Sequence, residues 1–199
     1  LFFMAGMPIF WTLIVGAMAL AGIVGAYFIF PHVADRVNRF MDPSSGDTFQ
    51  VDTAREAILN GGWLGTGPGE GTVKRILPDA HTDFIFAVVA EEFGILASIL
   101  LVALFAMIVG RGLTKAMAHS GLFERLAVSG LVTMVGVQAG INMAVNLGML
   151  PAKGMTLPFI SYGGSSLMSV ALGLGFVLAF TRRQPGEAAP ATGGLFAGR

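Results

Sequence analysis

The sequence predicts an all-α integral membrane protein, a polytopic helix bundle with one large extracytoplasmic loop. Three observations carry this reading. Hydrophobic residues make up 54% of the 199 positions and charged residues 12%, with a mean hydropathy of +0.75; a soluble domain carries about twice that charge. The apolar residues are gathered into four runs, about 8–31, 84–109, 126–150 and 158–181. Each reaches the roughly twenty residues that cross a hydrocarbon core of about 30 Å. Between the first two runs lies a hydrophilic interval, 32–83, of the size of an outer loop rather than a turn.

The first run has neither a basic flank nor a small-residue cleavage site, so it reads as a span and not as a cleavable signal. Ahead of it, Leu1-Phe2-Phe3-Met4-Ala5-Gly6-Met7 runs into Pro8 as though a preceding helix had just ended. The chain is therefore expected to be the C-terminal portion of something longer. It contains no Cys, so disulfides play no part.

Charge distribution sets the topology. Residues 110–125 carry Arg111, Lys115 and Arg125 against one acid, Glu124, and Arg182 and Arg183 follow the fourth run. Interval 32–83 holds eight acids and five bases. Short Lys/Arg-rich loops stay cytoplasmic, which puts 110–125 and 182–199 inside and both 32–83 and 151–157 outside. The tail 182–199, rich in Pro, Ala and Gly, is expected to be disordered.

Within the outer loop, Thr53-Ala54-Arg55-Glu56 matches a capping box and predicts a helix starting at Thr53. Ala54, Ala57 and Ile58 would form its apolar edge, Gly61-Gly62 its end, and Trp63 would lie at the interface. Gly65, Gly67, Gly69 and Gly71 permit tight turns or close approach to a ligand. They are not a phosphate-binding P-loop, since no Gly-Lys-Ser/Thr follows.

The second span opens at Asp83, which is either a helix cap favoured by the helix dipole or a working carboxylate. His81, two residues earlier, is either a ligand or a hydrogen-bonding surface residue. Glu91 and Glu92 lie about 12 Å deeper along the axis. Charge at that depth must face a bundle interior or a wet cavity, as a functional pair or as a structural one bonded to a neighbouring helix. On the third span Asn142 and Asn146 stand one turn apart, placed to bond across to the following loop. That loop carries a single charge, Lys153, a point cation suited to phosphate. Its Ser161–Ser166 segment breaks helix geometry, which a membrane tolerates only where backbone is buried in protein or lines a cavity. Gly163-Gly164 fits close helix packing.

Three strings now resemble one family. Leu77-Pro-Asp-Ala-His-Thr-Asp-Phe-Ile-Phe-Ala, Ala90-Glu-Glu-Phe-Gly94 and the stretch from Gly148 to Ser166 occur in the order seen in the SEDS family of membrane glycosyltransferases. Members of that family act in division, elongation and sporulation. The resemblance covers about 60–181; residues 46–60 match the family's Gly-Ser-Gly-Tyr-Gln stretch more loosely. It implies a ten-helix SEDS fold, of which this chain would supply about four transmembrane helices in a single domain. The wording of the Pro-Asp-Ala-His and Met-Leu-Pro-Ala-Lys-Gly strings is closest to the division members.

The resemblance further implies polymerisation of lipid II into β-1,4 glycan at the outer face of the bacterial cytoplasmic membrane. The family's essential Asp maps onto Asp83. One general base suffices there, because the lipid diphosphate leaves as a stable anion, unlike the leaving groups handled by paired carboxylates. Lys153, Arg75, Lys74 or a divalent cation such as Mg2+ would meet the diphosphate. His81, Glu91, Glu92 and Ser165 are further candidates for substrate binding. The expected partners are a class B penicillin-binding protein transpeptidase and other membrane proteins of the division machinery; nucleic acid is not expected. A lipid II transporter and a non-catalytic division scaffold are the rival readings. A transporter would depend on Glu91 and Glu92 more than on Asp83, and a scaffold on none of the three.

Overall fold

A computed structural model describes residues 6, 8–41, 49–119, 121–152 and 154–182. Most of the Leu1–Met7 stretch, Lys153, Arg183 and the tail beyond it lie outside the described residues. The described part is helical: α1 (Ile9–Ile29), α2 (Pro31–Met41), α3 (Phe49–Gly61), α4 (Ile85–Met117), α5 (Leu122–Asn146) and α6 (Gly164–Thr181), with one 3₁₀ turn at Val73–Arg75. Four of them, α1, α4, α5 and α6, are long and apolar enough to cross a membrane.

The helix bounds differ from the apolar runs for local reasons. α4 continues to Met117, past the run's end near 109, because an α-helix can carry Arg111 and Lys115 out of the hydrocarbon without a break. α6 starts six residues later than its run. There Phe159 is left-handed (φ 63) and the Ser161 hydroxyl accepts the Leu157 amide at 2.7 Å, so 157–163 is a turn. Thr53 does not cap α3. The helix is already under way at Phe49, and Thr53 sits inside it at 4% exposure. α3 does end at Gly61, with Gly62 left-handed (φ 55) and Trp63 exposed beyond it.

Packing centres on α4 and α5. Phe86 and Phe105 of α4 meet Ala139 and Met143 of α5, with Leu157 closing the cluster. Toward the end of the bundle that carries Arg111 and Lys115, Ala116, Val128, Val132 and Val177 join α4, α5 and α6. At the outer end Ala54 and Ala57 of α3 pack with Val73, Leu77, Phe84, Ala87 and Val145. Among the described residues α1 packs only on α2, and none of its residues is buried. An apolar helix with no packed face needs lipid or further protein around it.

α4 is broken at Gly94 (φ 80, ψ −179). The carbonyls of Glu91 and Glu92 accept the amides of Thr66 (2.9 Å) and Gly67 (3.1 Å). In return the amides of Ile95 and Leu96 donate to the carbonyls of Gly62 (2.9 Å) and Trp63 (3.4 Å). The outer loop thus inserts its backbone into the helix ladder, and the four groups that would have bonded each other across the break are paired with it instead. A Cβ on Gly94 would lie 2.4 Å from the Trp63 carbonyl oxygen, and one on Gly65 2.1 Å from that of Glu92. At Gly65 and Gly71 the close approach is therefore to α4 itself, whereas Gly67 and Gly69 serve the turn of the loop with φ of 115 and 84.

Candidate functional site

The approach to α4 is organised by Asp79. It adopts a left-handed conformation (φ 54), which Asp tolerates because its short side chain bonds locally. Its carbonyl then collects the amides of Thr82 (3.1 Å), Asp83 (3.0 Å) and Phe84 (3.3 Å), and the Thr82 hydroxyl (3.1 Å). Phe84, 2% exposed, anchors the turn in the outer core.

α5 holds this turn from the other side. Asn142 Nδ2 donates to the Asp83 carbonyl at 2.7 Å and also to the Met155 carbonyl. Asn146 Nδ2 donates to the Asp83 carbonyl at 3.0 Å, while its Oδ1 accepts the Ala87 amide at 3.0 Å. Both amides are buried, at 1% and 0% exposure. The Ala87 amide also donates to the Phe84 carbonyl at 3.0 Å, so Asn146 Oδ1 is a second acceptor that the neighbouring helix brings to the first turn of α4. The cross-bonding expected of this pair reaches the second outer loop through Asn142; the shared grip on Asp83 is additional.

A third amide completes the stripe. Gln138, one turn before Asn142, donates to the Thr156 carbonyl (3.0 Å) and to the hydroxyls of Thr156 (3.3 Å) and Ser166 (3.2 Å), which bond each other at 2.7 Å. Gln138, Thr156 and Ser166 were not among the candidates. Amide side chains at 138, 142 and 146, spaced by four along an apolar helix, were the available signal.

The Asp83 side chain lines a cavity of ≈ 200 Å³ together with Gln50, Phe84, Val145, Ala152, Gly154 and Met155. Gly154 is left-handed (φ 63), and a Cβ there would lie 3.4 Å from Asp83 Oδ2. Burial, followed by repulsion from Asp79, raises the Asp83 pKa above its ordinary value. The result is a half-buried carboxylate of increased basicity, with its backbone held by two asparagines and its oxygens facing a cavity.

The other candidates fall elsewhere. His81 is exposed; its carbonyl accepts the Tyr162 amide at 2.9 Å and the two rings lie 5.8 Å apart, joining the outer loops beside Asp83. Glu91 is fully buried. Its Oε1 accepts Asn60 Nδ2 (3.0 Å) and the amides of Thr72 and Val73 (2.8 Å each), and its Oε2 accepts the Lys74 amide (2.9 Å). Glu91 is thus bonded structurally, to Asn60 of the neighbouring helix α3 as well as to the loop amides of Thr72, Val73 and Lys74. Glu92 pairs with the Lys74 ammonium. Neither acid lines the Asp83 cavity, and Lys74 is drawn away from it. Arg75 is exposed. Ser165 is exposed in the first turn of α6 and is not among the lining residues. Among the described residues no three His, Asp or Glu side chains gather to hold a metal ion.

Comparison with known proteins matches residues 1–185 to the family model FTSW_RODA_SPOVE, described as "Cell cycle protein". A protein of Caulobacter vibrioides named "Probable peptidoglycan glycosyltransferase FtsW" is 55% identical over 185 residues, covering 93% of this chain and 47% of that protein. A Geobacter protein of the same name is 38% identical over 190 residues, covering 94% and 52%. Among solved structures, a chain from "Structural coordination of polymerization and crosslinking by a peptidoglycan synthase complex" superposes with a TM-score of 0.68 at 34% identity, covering 85% of this chain and 48% of that one. The chain spans about half the length of the curated relatives it matches.

Proposed function

The chain belongs to the FtsW/RodA/SpoVE family of cell cycle proteins, and from that membership we propose that the protein carrying it polymerises lipid II into glycan strands at the outer face of the cytoplasmic membrane during division. The observation that carries this reading is the Asp83 carboxylate. It is made more basic by burial, fixed at its backbone and open to a cavity.

Asp83 is the general base. It takes the proton of the acceptor GlcNAc 4-hydroxyl as that oxygen attacks C1 of the donor MurNAc. The new O4–C1 bond forms, the C1–O bond to the lipid diphosphate breaks, and the diphosphate departs with the electron pair. Attack opposite the leaving group inverts C1, turning an α-linked donor into a β-1,4 link. Positive charge stabilises the departing diphosphate. Arg75 and Lys153 are the cations for this role, since Lys74 is committed to Glu92. Mg2+ would bind chiefly through the diphosphate's own oxygens, which suits its preference for phosphate and water ligands.

The engagement of Glu91 and Glu92 by the outer loop argues against a transport path built on them. A class B penicillin-binding protein is the partner for crosslinking, a reading supported by the likeness to a chain of a peptidoglycan synthase complex that coordinates polymerization and crosslinking. The test is polymerisation of labelled lipid II by the complete protein in liposomes, wild type beside Asp83→Ala. Asp83→Ala should abolish strand formation; strands made at the wild-type rate would refute the assignment.

A further inference from the structure

Gln50 is the first described polar residue on the inner face of α3. Positions 50, 54, 57 and 61 recur at helical spacing, and Ala54, Ala57 and Gly61 of that face are buried against the outer end of α4. Small side chains suit such a contact. Gln50 departs from that pattern: it is half-buried and lines the cavity that holds the Asp83 carboxylate. Among the described lining residues Phe84, Val145, Ala152 and Met155 are apolar and Gly154 has no side chain, which leaves Asp83 and Gln50 as the polar ones. Among the described residues no group hydrogen-bonds the Gln50 amide, so both its donor and its acceptor are available to a ligand in the cavity.

We propose that Gln50 binds the acceptor sugar, holding the 3-hydroxyl beside the 4-hydroxyl that Asp83 deprotonates. The proposal rests on the polymerase reading above. A pyranose presents hydroxyls on adjacent carbons, so a group that takes one brings its neighbour close. An ionised carboxylate only accepts hydrogen bonds, whereas an amide donates through nitrogen and accepts through oxygen. Asp83 therefore suits the hydroxyl that loses its proton, and Gln50 the one that keeps it. At ≈ 200 Å³ the cavity is smaller than the roughly 300–1,000 Å³ of sites that engulf a whole ligand. It fits one edge of one ring. Gln50 thereby orients the nucleophile, a gain in proximity distinct from proton abstraction.

The test is a cycle of two variants and two substrates in the complete protein. Wild type, Gln50→Ala and Gln50→Met polymerise labelled lipid II and an analogue whose GlcNAc lacks the 3-hydroxyl. Gln50→Met keeps the length of the side chain without its amide, so it separates lost bonding from lost packing. On lipid II both variants should lose about tenfold in kcat/KM, the worth of one hydrogen bond. Wild type should lose a similar factor on the 3-deoxy analogue, and the variants little more on it, because the bond is already absent. Equal losses on both substrates, or no loss on either, would overturn the proposal. Asp83→Ala is assayed alongside: polymerisation surviving that change refutes the base assignment, and the Gln50 cycle is then read on the surviving activity.

Discussion

Asn142 Nδ2 donates to the main-chain carbonyl of Asp83 at 2.7 Å, from a residue 59 positions further along the chain. The same nitrogen bonds the Met155 carbonyl, so one buried amide joins the start of α4 to the second outer loop. Asp83 is thus held through its backbone, which leaves its carboxylate oxygens available for the substrate proposed above.

Asn142→Asp keeps the shape of this side chain and removes both donors. It should leave the Met155 carbonyl without this donor and the Asp83 carbonyl on Asn146 alone, at about 1–3 kcal/mol for the group left unpaired. The Asp83 turn and the 154–156 segment would then move independently. Misplacement of about 1 Å can cost on the order of a hundredfold in turnover. Polymerisation rate and melting temperature of the complete protein in detergent measure the two effects; an unchanged rate would dismiss the clamp.

Asp83 should work as a base only when ionised, so turnover should fall as the pH drops through its folded pKa. That pKa is raised by burial first and by Asp79 second, so the acid limb should lie above the ordinary Asp range. Asp79→Asn tolerates the same left-handed backbone and removes the repulsion, so it should shift the limb to lower pH. The pH profile of kcat reads this directly, and a limb that does not move rules out the Asp79 contribution.

Stability should respond in the opposite sense to activity. With its folded pKa above the unfolded value, Asp83 binds its proton more tightly in the native state. The native state therefore gains stability as the pH falls between the unfolded and folded pKa values. Above both values the ionised, partly buried carboxylate costs stability. Asp83→Asn should raise the melting temperature at neutral pH while abolishing turnover. A lower melting temperature would contradict the burial effect.

Gly94→Ala should destabilise the outer half of α4. A left-handed non-glycine residue costs about 1–2 kcal/mol, and the added Cβ would also meet the Trp63 carbonyl at 2.4 Å. The loop backbone at 62–67 should detach and become cleavable by protease, with a melting temperature lower by several degrees. Wild-type resistance to proteolysis would count against this docking.

Glu91→Gln and Glu92→Gln should differ sharply. Glu91 accepts four hydrogen bonds while fully buried, one from Asn60 of α3 and three from the loop amides of Thr72, Val73 and Lys74. Its neutral replacement would turn an NH2 group toward an amide donor, losing charge-assisted bonds worth about 1.5–3 kcal/mol each. Glu92 makes a partly exposed ion pair, worth about 1 kcal/mol or less. Thermal melting of the two variants compares them, and equal losses would deny Glu91 its anchoring role.

Several of these features were legible without coordinates. Four apolar runs gave the four membrane-capable helices, because length and hydropathy are properties of a segment taken alone. The Gly61-Gly62 pair marked the end of α3 for the same local reason. Thr53 misled because its capping pattern is equally at home inside a helix, where the outer core buried it. Glu91 was legible only in part: depth in an apolar run announces an acid with partners but does not say which.

What the sequence by itself determined was the class of molecule, the order of its spans and, through its ordered strings, the family. Tertiary structure decided which polar groups meet. Asn146 reaches the Asp83 carbonyl across 63 positions, Glu91 takes the loop amides of Thr72, Val73 and Lys74, and Gln50 shares a cavity with Asp83. The physical reason is that periodicity encodes which face of a helix is buried, whereas a buried hydrogen bond depends on the partner that packing brings to that face.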